Sequence, residues 1–147
     1  MSNVFLESNI TRVDVMSLDV ESAEPLVLAG IDWSAVNIEM IIIEVNKHIT
    51  RKEGMPASDS AKRIIGILEA QNYMPVLELF PYGKKTMPIE DCSSVLLGQT
   101  VQSAFQPNRK GEFNLGVWRR QDVLFVRQGG IYEQPIIDWV NAAGCKY

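Results

Sequence analysis

The sequence predicts an α/β fold, a mixed sheet with helices on its faces. Two observations carry that prediction. Apolar runs rich in Val, Ile, Leu and Met recur at residues 13–20, 40–45, 75–80 and 122–127, each of strand length. Stretches with helical period or helical start-and-stop chemistry lie between the first and second runs, between the second and third, and after the fourth. Strand, helix, strand, helix, strand is the order that builds a sheet layered against helices.

The first run, VDVMSLDV, opens at Val13 and closes at Val20, on the edge of an acidic group made of Asp19, Glu21 and Glu24. Residues 24–30 then predict a short helix. Ser22 is placed to cap it, Pro25 lies in the first turn where a missing N–H is tolerated, and Gly30 is the expected left-handed stop. The second run, MIIIEV, is continuously apolar except for Glu44, as in a strand covered on both faces. A polar connector over residues 46–57 leads into an amphipathic helix over 58–73. There Ala61, Ile64, Ile65 and Leu68 recur at helical spacing, and Lys62, Arg63 and Glu69 point elsewhere. PVLELF is the third strand and DVLFVR the fourth; residues 135–143 form a last helix, opened by Pro135 and closed by Gly144. Residues 81–120 mix Gly, Pro, Lys, Asn and Ser with short apolar islands. They predict a long irregular loop with one short helix or strand inside it.

At 147 residues the chain is one domain's worth, against a prior of roughly 150 residues per domain. Lys and Arg total 14 and Asp and Glu 18, a net charge of −4 that argues against a nucleic-acid partner or an anionic membrane surface, both of which need a basic face. Cys92 and Cys145 form no CxxC or Cys/His cluster, so they are expected as free thiols in a reducing, cytoplasmic compartment. One histidine, His48, and two scattered cysteines cannot supply a zinc ligand set. No run is apolar for the length of a membrane helix, and the first dozen residues carry no basic cap followed by an apolar stretch. Trp33, Trp118 and Trp139 are expected as packing residues. Lys84, Lys85, Arg109, Lys110, Arg119 and Arg120 tint the middle of the chain basic, which ordinary solubility explains.

In α/β sheets chemistry collects at the carboxyl ends of the strands, which directs attention to Asp19, Glu21 and Glu44. Asp19, Val20, Glu21, Glu24, Val27, Leu28 and Gly30, followed by Glu44 at the end of the next strand, form a pattern. It resembles the FkbM family of S-adenosylmethionine-dependent methyltransferases, whose signature is a strand ending in Asp-Val-Glu-Gly-x-Glu, a helix closing in Val-Leu-x-Gly, and a strand ending in glutamate. Ser22 stands where the family has glycine. The resemblance covers roughly residues 4–127 and implies the C-terminal portion of a Rossmann-like methyltransferase fold, from its fourth strand onward, as one partial domain over 1–147.

The resemblance further implies S-adenosylmethionine as cofactor in the complete fold and a small-molecule hydroxyl as methyl acceptor. Asp19 is then the first choice for general base or substrate orienter. Glu21 and Glu24 would hold substrate hydroxyls, and Glu44 would position the neighbourhood of Asp19. None of the ten glycines is followed two residues later by another, so no G-x-G loop is present to approach the cofactor closely. The chain alone is therefore expected to be inactive. In the complete fold the first strand lies beside the fourth, so its absence would leave residues 13–20 as an apolar edge open to a protein partner or to self-association. Three other readings of the residues stay open. The acids suit a solvated helix N-terminus, where the helix dipole favours them; they suit a divalent cation; and the chain suits a non-catalytic interaction module that pairs through its edge.

Overall fold

A computed structural model describes residues 2–20, 23–44, 57–79, 92, 95–97 and 122–145 of the chain. The elements are α1 (Ser2–Glu7), β1 (Arg12–Leu18), α2 (Glu24–Ala29), β2 (Asn37–Glu44), α3 (Ala57–Ala70), β3 (Tyr73–Glu78), β4 (Asp122–Arg127) and α4 (Glu133–Ala142). The four strands make one mixed sheet in the order β1-β2-β4-β3. β1 and β2 run parallel, Met16 opposite Ile41 and Leu18 opposite Ile43. β4 runs antiparallel to both of its neighbours. The carboxyl ends of β1, β2 and β3 and the amino end of β4 therefore share one edge of the molecule.

Side-chain alternation divides the sheet into two faces. Met16, Leu18, Ile41, Ile43, Val123 and Phe125 pack with Leu28 of α2 and Ile64, Ile65 and Leu68 of α3 into the main core. Phe125, Ile41, Ile43, Leu28 and Leu68 are buried almost completely. Burying such side chains is the main favourable term, about 1.5–3 kcal/mol each. On the other face Val76, Leu77, Leu124 and Val126 pack with Val140 of α4 and with Cys145.

Most predicted elements recur with shifted ends. β4 coincides with DVLFVR, and β2 begins at Asn37, three positions before the apolar run. α3 ends at Ala70 because Asn72 takes a left-handed φ of 60°, a conformation asparagine tolerates, and Tyr73 already belongs to β3. Pro75 is accommodated in β3 by a register shift between Pro75 and Leu77, on a strand with β4 as its one full-length partner among the described residues. α1 is a helix that periodicity did not predict.

Several expectations need correction. Gly30 closes α2 at φ −88°, not in the left-handed region; its N–H donates to the carbonyls of Leu26 and Val27, so an ordinary helical turn ends the helix. The residue at the N-cap is Ala23, with no side-chain cap. Ser22, Glu21, His48, Trp118 and the connector over 46–56 lie outside the described residues. So does most of the predicted loop over 81–120, apart from Cys92 and residues 95–97, where Val95 bridges Leu77 on the outer edge of β3. Trp139, expected to pack, is 43% exposed because it faces away from the sheet that Val140 contacts. Cys92 and Cys145 are not free thiols: they are joined in a disulfide, their Cα atoms 5.3 Å apart. The thiol-based reason for a reducing compartment falls with that bond, since disulfides persist mainly where the surroundings are oxidising. No helix among the described residues is long and apolar enough to cross a membrane.

A carboxylate cluster at the strand ends as the candidate site

Local sequence brings the first two acids together. β1 ends at Leu18, the chain turns through Asp19 and Val20, and Glu24 begins α2 four residues further on. The Glu24 carboxylate folds back over this turn and accepts the Val20 N–H at 3.0 Å. Glu24 is 2% exposed, whereas Asp19 is open to solvent. Parallel pairing supplies the third acid. With Leu18 opposite Ile43, the next step along each strand sets Asp19 beside Glu44. Carboxylate oxygens of Asp19, Glu24 and Glu44 lie within 4.8 Å of one another.

A fourth acid joins them that the sequence reading did not single out. Asp122 opens β4 and is the register partner of Glu44 across the antiparallel pair. Its position as the first residue of DVLFVR was the available signal, but it becomes informative only once β4 is known to run against β2. Of the four proposed site residues, the fold thus gathers Asp19, Glu24 and Glu44, while Glu21 lies outside the described residues.

Crowding of like charges perturbs the proton equilibria. The Glu44 carboxyl is pushed up to about 7, first by burial, then by the negative charge of Asp19, a hydrogen bond with Asp19, and the charges of Glu24 and Asp122. Asp122 is also raised, by burial and then by Asp19. Near neutral pH Glu44 is therefore in mid-titration, hydrogen-bonded to the exposed Asp19. Such an edge can accept a proton from a substrate hydroxyl, hold polar substrate groups, or offer hard oxygen ligands to a cation.

The same geometry bears on the cofactor. In a donor-binding turn, free backbone N–H groups and glycines meet the ligand. Here the Val20 N–H at the strand-to-helix turn is already taken by the buried Glu24 carboxylate. Among the described residues of this turn, the Val20 N–H is therefore not free for a cofactor.

The opposite edge of the sheet holds a buried acid with a different task. Glu39 is 2% exposed and accepts Asn37 Nδ2–H at 2.7 Å and the Ile131 N–H at 3.1 Å, with Arg12 Nε at 3.9 Å. It ties β2 to the turn after β4, beside a groove of about 290 Å³ lined in part by Asn37, Arg127 and Gly130. Trp33 packs edge-on against Tyr73 with ring centroids 6.0 Å apart, the packing role expected of it.

Comparison with known proteins identifies one family. The Methyltransferase FkbM domain matches residues 1–75, which include β1, the acidic turn, α2, β2 and α3. No curated protein and no solved structure matches the chain.

Proposed function

The chain belongs to the FkbM methyltransferase family, and on that premise we propose that it is the acceptor-side portion of a Rossmann-like, S-adenosylmethionine-dependent methyltransferase that methylates oxygen in its complete form. Residues 1–147 make one partial domain, with 81–120 as an insertion within it. The observation that carries this reading is the convergence of Asp19, Glu24 and Glu44 at the carboxyl edge of the parallel β1–β2 pair, inside the family-matched segment.

Each side chain has a role set by its surroundings. Asp19 is exposed beside Glu44 at the carboxyl ends of the parallel strands, so it is the group that takes the proton from an acceptor hydroxyl. Glu44 shapes its environment from the neighbouring strand. Glu24 fixes the turn that presents Asp19, and Glu21, close to both in sequence, is assigned as a holder of substrate hydroxyls. The cofactor, when bound in the complete form, supplies the electrophilic methyl group. The acceptor is a small molecule bearing a hydroxyl. Asp19 is the catalytic residue in this reading, and Glu44 a positioning residue.

Two measurements test it. Calorimetric titration of S-adenosylmethionine into the purified chain should show no micromolar binding, because the chain has no G-x-G loop to approach the cofactor closely. Micromolar binding by this chain would overturn the acceptor-side assignment. In an active complete form, Asp19→Asn should lower kcat by about 10²–10⁴-fold, the usual worth of a general base.

One observation favours a second reading, a non-catalytic interaction module. β1 has β2 as its one strand partner among the described residues, and its outward Val15 is 47% exposed. Sedimentation over a range of concentrations separates the two. A defined dimer abolished by a proline at Val15 supports pairing through the edge, and a monomer throughout rejects it.

A further inference from the structure

α4 is an amphipathic helix of ten residues, too short to be stable by itself, so its place on the sheet depends on what it touches and how its ends are held. Ile136, Ile137 and Val140 face the second core cluster, while Gln134 and Asp138 pair with each other on the solvent side. Its entry is pinned twice. Glu39 accepts the Ile131 N–H, and Glu133 folds back to accept the Gly129 N–H at 2.8 Å.

The exit is pinned differently. The helix ends with Gly144 at φ 81°, a conformation glycine adopts without steric cost, and the Cys145 N–H donates back to the Val140 carbonyl. This turn tucks Cys145 under the helix, 1% exposed, where it is bonded to Cys92. Cys92 belongs to the segment along the outer edge of β3, where the Leu96 N–H donates to the Val76 carbonyl at 2.8 Å. Two buried members of the second cluster, Val140 and Cys145, are thus supplied by the helix and its fastening.

We propose that the Cys92–Cys145 bond is a redox latch that holds α4 over the second face of the sheet. The two sulfurs differ in access. Cys145 is buried, whereas Cys92 is only half-buried and sits in a left-handed turn at φ 55° that a non-glycine residue adopts at a steric cost. A dithiol reductant therefore attacks at Cys92. Its thiolate bonds to the Cys92 sulfur as the protein S–S bond breaks, and Cys145 leaves as a thiolate and takes a proton. The second thiol of the reductant then closes on the first, releasing Cys92, which is protonated in turn. One protein disulfide and one dithiol become two protein thiols and one reductant disulfide, a two-electron exchange. With the exit end freed, α4 lifts from Val76, Leu124 and Val126 while the main core on the other face stays packed.

Hydrogen exchange read by mass spectrometry on the full chain tests this, before and after treatment with dithiothreitol. The expected result is at least about tenfold faster exchange over Glu133–Ala142 on reduction, with the β2 amides of Ile41 and Ile43 still protected. Cys92→Ser should show the fast pattern from the start and no response to dithiothreitol. Three results would overturn the latch: unchanged α4 exchange once both thiols are shown reduced, loss of β2 protection together with α4, or cysteines that alkylate fully without any reductant. The wild-type comparison decides the matter even where the variant does not fold.

Discussion

Glu44 and Asp122 face each other as register partners across β2 and β4, so that two carboxylates of like charge close the same edge to which β1 brings Asp19. Burial and then these neighbouring carboxylates push the Glu44 carboxyl up to about 7, so it is only partly ionised near neutral pH and in part keeps its proton.

That proton links stability to pH. The folded Glu44 carboxyl titrates at about 7 against 4.5 for an unperturbed one, so the folded state binds the proton more tightly. Its stabilising contribution is complete below the unfolded value and is lost as pH rises through the folded one. Glu44→Gln, which mimics the protonated side chain, should match the wild type in Tm at about pH 4 and exceed it at about pH 8. Thermal denaturation at several pH values checks this; parallel curves would show that Glu44 carries no such proton.

Glu39 leaves no room at Gly130. A methyl group added there would meet Glu39 Oε2 at 2.5 Å and the Arg127 carbonyl at 2.9 Å. Gly130→Ala should therefore cost about 1–3 kcal/mol through overpacking and displacement of a buried carboxylate. Urea unfolding measures the loss. Gly66, with open space around its Cβ position, is the control site.

Tyr73 is buried, and its hydroxyl donates to the Ile38 carbonyl at 2.5 Å, joining the two halves of the sheet beneath Trp33. Tyr73→Phe keeps the ring and strands that carbonyl. A loss of about 1–2 kcal/mol is expected in chemical denaturation, with native spectra retained.

Much of the frame could be read from residue order, and the site in part. DVLFVR is β4 residue for residue, because a continuous apolar run admits little else at that length. Asp19, Glu24 and Glu44 could be grouped in advance, since a strand end, the following helix start and the next parallel strand end lie close in any β-α-β unit. What escaped was decided by tertiary pairing. Asn37 and Glu39 look like loop residues, yet they sit within β2, where the Ile131 N–H, 92 positions away, satisfies the buried carboxylate. Asp122 joins the cluster only because β4 runs antiparallel. Cys92 and Cys145 are 53 positions apart and meet through the docking of α4, for which neither residue carries a local signal.

The most direct measurement is the carboxyl titration of Glu44 by carbon-13 NMR, in the wild-type chain and in Asp19→Asn. A cluster gathered as described predicts a wild-type midpoint near 7 that falls when the Asp19 charge is removed. A midpoint near 4.5 in both proteins would mean that these acids do not meet, and that the strand ends hold no site of this kind.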